Sequence, residues 1–304
     1  MYTFIITSYH EPLATIKAVH AILSQDIKKP FKIIVADPFI EVKHIIEKEF
    51  KGNTLVEFFL DPGEGKAATL NLILEMYYTD HKEDILIFTD GDVFIGQGSI
   101  KALISSFKDP RVGVVCGHPV PLNTKDHLFG FWAHLFFDEM NATRKHLSST
   151  QQFFALTGYL FAIRNGIVKT FPLSTNEDKV IPSLFWEQGY GIQYSEDATV
   201  YVLNPQNFKD YVTQKKRNIK GRINLKTQSD NVYAKESGFF SESLRGLNIL
   251  FTYPQSLKEF IWILLAMFAR LYVWGLAYYD IYFKKKKYHD GWRIEEVSST
   301  KPLD

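Results

Sequence analysis

The chain predicts an α/β fold, a mixed but mostly parallel sheet flanked by helices, on three observations. Short apolar runs alternate with segments whose apolar residues recur at helical spacing. The runs are continuously apolar, as in strands buried on both faces. The fourth run ends directly on two carboxylates, Asp90 and Asp92. Strands are expected at residues 4–6, 33–36, 55–59 and 85–88, with helices at 14–23, 41–50 and 66–77 between them. Repetition of this βα unit makes a mostly parallel sheet with helices on both faces the economical solution. Residues 112–115 and 156–162 are further strand candidates, and neither an internal repeat nor a low-complexity segment interrupts the chain.

Composition narrows the function classes. A chain of 304 residues, 46% hydrophobic and 15% aromatic, can bury a substantial core and still carry a smaller appendage. A formal net charge of +1 argues against nucleic acid as the main partner. The single Cys116 excludes a disulfide scaffold and suits a reducing compartment. Met1 leads directly into Tyr2-Thr3-Phe4-Ile5-Ile6, which reads as a strand and not as a charged, then apolar leader. The catalytic part is therefore expected in the cytosol.

Chemistry concentrates where the fourth run ends, at Ile85-Leu86-Ile87-Phe88-Thr89-Asp90-Gly91-Asp92. Ligands of open α/β sheets gather at the C-terminal edge of the strands. Residues i and i+2 of an extended segment point the same way, so Asp90 and Asp92 can face one cation, with Gly91 leaving room between them. A few hard oxygen ligands suit Mg²⁺ or Mn²⁺ that also holds a diphosphate. The alternative is a solvated Asp-Gly turn.

Other loops belong to the same edge. Thr7-Ser8-Tyr9-His10-Glu11-Pro12 follows the first strand, and Asp37 after the second could meet a ribose or base donor. The loop after the third strand places Lys66 at a helix start, where an ammonium beside free amides makes a phosphate clamp. Asp37 could instead only terminate its strand, and Lys66 could be a solvated charge. The glycine and lysine spacing here is not that of a Walker loop.

Taken together, these residues resemble family 2 glycosyltransferases of the GT-A fold, in the branch with cellulose, chitin and hyaluronan synthases and membrane glycolipid glycosyltransferases. Ser8-Tyr9-His10-Glu11-Pro12 resembles the first-strand motif, with His10 where Asn is usual, and Asp37 resembles the acid that meets the base or ribose. Gly65-Lys66-Ala67-Ala68-Thr69-Leu70-Asn71 is close to a Gly-Lys-Ala-x-Ala-Leu-Asn run, and Asp90-Gly91-Asp92 fits the Asp-x-Asp metal motif. Leu156-Thr157-Gly158 fits the small-residue loop under the acceptor. In that family's order, the catalytic acidic pair precedes an amphipathic helix, a Gly-Tyr turn and a strand. The resemblance thus implies Asp178 as base, beside Glu177, and makes the second pair, Glu196-Asp197, a structural strand start.

The resemblance also implies direct displacement with inversion: a divalent cation on Asp92, assisted by Asp90, takes up charge on the leaving diphosphate while Asp178 deprotonates the acceptor. Ser8, Tyr9, Glu11, Asp37 and Lys66 fall on the donor side; Thr157, Gly158, Glu177, Gln214 and Arg217 fall on the acceptor side. Gln214-Lys215-Lys216-Arg217-Asn218 matches a Gln-x-x-Arg-Trp motif except that Asn218 replaces the tryptophan platform, which argues against a long-chain processive synthase. Nothing in the residues chooses between UDP- and GDP-sugars.

The last quarter changes character. Residues 260–279 are apolar except for Arg270, about long enough to span a bilayer, and Lys284-Lys285-Lys286-Lys287 follows at once. A single crossing would leave this cluster opposite the catalytic domain, against the positive-inside tendency. A membrane-embedded helical region returning to the cytosolic side is therefore expected; a true span and a buried soluble helix are the alternatives. In the tail, Ser299, Thr300 and Lys301 resemble the end of a gating loop that closes over the donor diphosphate. The expected organisation is a catalytic domain over 1–230, an amphipathic or membrane-embedded region over 231–288, and a tail over 289–304. The expected activity is hexose transfer from a nucleotide-sugar to a lipid-linked or glycan acceptor at the cytosolic membrane face. Two rivals are a processive polysaccharide synthase and a non-catalytic nucleotide-sugar-binding subunit.

Overall fold

The computed structural model describes residues 1–172, 177–228, 249–284 and 300. Four parallel strands come first: β1 (Tyr2–Thr7), β2 (Phe31–Asp37), β3 (Val56–Leu60) and β4 (Ile85–Asp90). Three helices connect them, α1 (Pro12–Leu23), α2 (Ile40–Glu49) and α3 (Lys66–Tyr77). All seven expected elements are present. Pro12 opens α1, where its fixed φ suits a first turn and its missing N–H is not needed. Gly65 precedes α3 at φ 102°, a value most side chains resist.

After β4 the chain turns at Gly91-Asp92 into β5 (Val93–Ile95), then α4 (Ser99–Ser105) and β6 (Val112–Pro121). The 22-residue α5 (Leu128–Ser149) was not anticipated. Then come β7 (Leu160–Arg164), α6 (Glu177–Glu187), β8 (Gly191–Val202), α7 (Phe208–Gln228) and α8 (Leu257–Tyr278). The expected strand at 156–162 is half loop, because residues 156–159 leave the sheet for the site described below.

All eight strands form one mixed sheet in the order β3-β2-β1-β4-β7-β6-β8-β5. Direction reverses between β4 and β7, again between β7 and β6, and at the β8–β5 edge. Alternate residues feed two cores: Phe4, Ile6, Ile33 and Ile87 face one way, and Ile5, Ile34, Leu86 and Phe88 the other. A third apolar cluster joins α5, α7 and α8 through Phe131, Trp132, Tyr211, Ile219, Ile263 and Val273.

Arg164 ties the reversal together. Its buried guanidinium donates to the carbonyls of Val112, Lys82, Phe107 and Asp109 at 2.8–3.1 Å. The strand start expected at Glu196-Asp197 lies instead inside β8. Cys116 pairs with Tyr194 but His118 with Thr199, so residues 195–198 bulge out of the ladder and expose both acids.

Candidate active site

One cavity of about 300 Å³ opens beside the C-terminal ends of β1 and β4. Thr7, Ser8, Tyr9, Glu11, Lys66, Asp90, Gly91 and Asp92 form one wall, and Thr157, Gly158, Glu177, Asp178, Gln214 and Arg217 form the other. Thr300 also lines it, while Ser299 and Lys301 lie outside the described residues. Residues from distant stretches of chain therefore line one cavity.

Lys66 sits at the junction of the two walls. Its ammonium lies 2.7 Å from Asp90 Oδ1 and 2.9 Å from Glu177 Oε1. Burial alone would depress this ammonium, but the two carboxylates more than offset it and hold Lys66 well above its ordinary range. Asp90 Oδ1 also accepts from Thr7 Oγ1 at 2.9 Å. Gly91 is buried between the acids; a Cβ there would come within 2.7 Å of Thr15 Oγ1 and 3.0 Å of Ser8 Cβ. Asp90 and Asp92 share the cavity although Gly91-Asp92 is a turn and not the extended segment assumed from spacing. The Gly91 N–H donates to Thr7 O at 2.8 Å, which folds the chain back toward β1.

The opposite wall hangs on α5 and the loop before β7. Arg144 is buried and donates to Ala155 O and Leu156 O at 3.2 and 3.0 Å. Leu156 N in turn donates to Asp178 O at 2.8 Å, and Thr157 N reaches Cys116 Sγ at 3.1 Å. The acidic pair thus begins α6 from a fixed backbone. Gly158 leaves open space, with Glu177 Oε1 the nearest atom to an added Cβ at 3.9 Å. Tyr159 lines the same cavity; burial, then the charges of Asp92 and Asp90, push its phenol up to about 12. Sequence reasoning missed Met140, Arg144 and Tyr159. The signal for the first two was their i, i+4 spacing, which puts both on one face of a helix.

Asp37 is placed differently from the other site residues. It is fully buried outside the cavity, its Oδ2 accepting from His10 N and its Oδ1 from Phe39 N, each at 2.9 Å. Burial pushes its carboxyl up, partly offset by bonds from Phe39, Ser8 and His10. These bonds hold the loop in which His10 takes φ 57°. Glu196 and Asp197 do not line the cavity either, and Glu196 pairs with Lys145 at 2.6 Å.

The donor set fits a hard cation shared with a phosphate. Among the described residues no group of three or more His, Cys, Asp or Glu could enclose a metal ion. Two carboxylates at the cavity wall supply only part of a coordination shell, so a ligand's oxygens would complete it.

Residues 1–221 match the family described as glycosyltransferase like family 2. The chain belongs to that family. Among curated protein sequences no match is found. Solved structures that resemble this glycosyltransferase include the following two. The mannosyltransferase PcManGT from Pyrobaculum calidifontis, solved with GDP-Man and Mn²⁺, is 14% identical; the alignment covers 93% of this chain and 87% of that one, with a TM-score of 0.64. GalNAc-T7, solved with UDP, GalNAc and Mn²⁺, is also 14% identical, over 67% of this chain and 43% of that one, with a TM-score of 0.50. At such identity the likeness is one of fold.

Proposed function

We propose that this glycosyltransferase is an inverting, metal-dependent enzyme. It moves a hexose from a UDP- or GDP-sugar to a lipid-linked acceptor of the polyprenyl or dolichyl phosphate type at the cytosolic face of a membrane. The observation that carries the reading is that Asp90 and Asp92 share one cavity with Glu177 and Asp178, bridged by Lys66. Donor and metal in the similar mannosyltransferase, GDP-Man and Mn²⁺, support the donor class.

Asp92 and Asp90 would hold Mn²⁺ or Mg²⁺, which supplies Lewis-acid stabilisation of a leaving diphosphate. Lys66 adds a fixed positive charge on the donor side. Glu177 pairs with Lys66, and Asp178, next to it in the cavity wall, is the base that takes the proton of the attacking hydroxyl, as the family's motif order implies. One base and one displacement invert the anomeric carbon. Ser8, Tyr9 and Glu11 shape the donor side, and Asp37 acts through the loop it holds. Gln214, Arg217 and Asn218 present one face of α7 to the acceptor, and Asn218 offers no aromatic platform to a growing polymer.

The membrane side follows from α8. Leu257–Phe283 is long and apolar enough to cross a bilayer. However, one side of α8 is packed against the catalytic domain along its length. Trp132 Nε1 donates to Trp262 O at 2.8 Å, Phe208 stacks on Tyr272, and Asp280 pairs with Lys220 at 2.6 Å and Lys216 at 3.4 Å. The outer side exposes Leu257, Ile261, Leu265, Phe268 and Leu271 by 44–76%. A helix held this way lies along an interface with its apolar stripe in lipid. Since α7 separates α8 from the cavity, a lipid-borne acceptor would need to reach only about one helix diameter, roughly 10 Å. This supports a cellulose-synthase-like, membrane-associated branch, with a catalytic part over 1–230, a membrane region over 231–288 and a tail over 289–304. Thr300 in the cavity supports a gating role for that tail.

The test is Mn²⁺-dependent release of nucleoside diphosphate from a panel of UDP- and GDP-hexoses, with polyprenyl phosphate-linked acceptors. Loss of turnover in Asp178→Asn, with nucleotide affinity kept, is expected. Turnover retained by Asp178→Asn, or no release from any donor, would reject the proposal.

A further inference from the structure

A second cleft, about 280 Å³, lies between the ends of α5 and α6 and the start of β8. The same elements also wall the active-site cavity, so the two hollows share α5, α6 and β8. Along α6, Trp186 in the cleft is about 12 Å from the base Asp178. Trp186 and Tyr190 are each only partly buried; Phe153 and Phe185 pack edge-on against them and fix their rings. Such rings present flat apolar faces beside polar edges.

Some polar groups in the cleft are engaged: the Tyr190 hydroxyl accepts from Lys82 Nζ at 2.9 Å and Ser148 Oγ from Tyr194 N at 3.0 Å. Among the described residues, the side-chain amides of Gln151 and Gln193 and the indole N–H of Trp186 have no hydrogen-bond partner. Gln151 also takes φ 53° at the end of α5. Its N–H bonds to Ser148 O and that of Gln152 to Leu147 O, the helix-ending pattern in which glycine is the usual residue. The backbone thus bears strain that places an amide at the cleft. Among the residues that line the cleft, the charged pair Asp109 and Arg111 neutralises itself at 2.7 Å.

We propose that this cleft binds an uncharged carbohydrate, a glycan segment of the acceptor or product remote from the reacting hydroxyl. Sugar rings match partly exposed aromatic faces, and their hydroxyls match unpaired amides. The proposal deepens the glycosyltransferase reading and rests on it for the biological source of the sugar.

The experiment titrates the full chain, without nucleotide or metal, with chitotriose, cellotriose and mannotriose, reading ligand-proton saturation transfer and calorimetry. At least one trisaccharide should bind saturably. Gln151→Gly, which relieves the backbone strain and preserves the fold, and Trp186→Ala should each weaken it about tenfold or more. No binding across the panel, or binding unchanged in both variants, would overturn the proposal. Binding lost in the cleft variants of a chain that hydrolyses no nucleotide-sugar would uphold the cleft and sink the transferase reading. Donor turnover without trisaccharide binding would do the reverse.

Discussion

Asp90 and Glu177 share a single ammonium, that of Lys66, at 2.7 and 2.9 Å. One carboxylate ends a strand of the parallel half of the sheet, and the other opens a helix beyond the reversal. Removing the ammonium leaves two negative charges confined together. Lys66→Met should therefore lower unfolding free energy by about 3 kcal/mol. Adding Glu177→Gln should return part of that loss, as read by urea denaturation of the two variants. Equal stability of both would mean that the ammonium does not hold the walls together.

Gly91 tests how tightly the acidic turn is set. A methyl group there meets Thr15 and Ser8 inside contact distance, so the turn must move. Gly91→Ala should cost about 1–3 kcal/mol of stability and lower kcat/KM roughly 100-fold. Thr15→Ala in the same chain should recover part of both. An active, fully stable Gly91→Ala enzyme would show that the spacing is not critical.

The outer stripe of α8 should behave as a surface and not as a core. Phe268 is 66% exposed and Ala269 only 5%. Phe268→Asp should leave the thermal midpoint within the scatter of surface substitutions, about 0.5 kcal/mol. It should also reduce co-sedimentation with anionic vesicles at least tenfold. Ala269→Leu should do the opposite, overpacking the contact with the catalytic domain at a cost of about 1–3 kcal/mol. A large loss of stability in Phe268→Asp would place that face inside the protein.

His118 gives a pH dependence with a definite sign. Burial chiefly lowers the imidazole, which pairs with the Tyr194 hydroxyl. The folded chain therefore binds a proton less readily than the unfolded one. Stability is greatest above the unfolded value of about 6.5. It falls as the pH drops toward the lower folded value, because acid charges the unfolded ring first. Thermal midpoints between pH 7.5 and 5 should fall less in His118→Gln than in the parent chain. Parallel curves would remove His118 as the cause.

Much of this was legible from residues alone. Unbroken apolar runs located β1 to β4, since strands covered on both faces must be apolar throughout. Asp90, Asp92, Lys66 and Asp178 meet in one cavity, as motif order implied. Long-range packing hid the rest. Helix α5 follows His127, which gives no side-chain cap, and mixes aromatic with charged residues, so its partners in the sheet and in α7 and α8 decide which faces are buried. Asp37 reads like its neighbours in the chain, yet backbone amides from His10 and Phe39 occupy its oxygens. The bulge at 195–198 depends on pairing with β6, and local pattern does not encode it.

The reversal between β4 and β7 is bridged on both faces of the sheet. Each of the two large apolar interiors runs across that seam, so strands on either side of it share the same packing. The proposed cation ligands and the proposed base stand on opposite sides of the seam, yet heat or denaturant has no weak joint there to open first. Such a catalyst should lose its turnover and its interior together, in one transition.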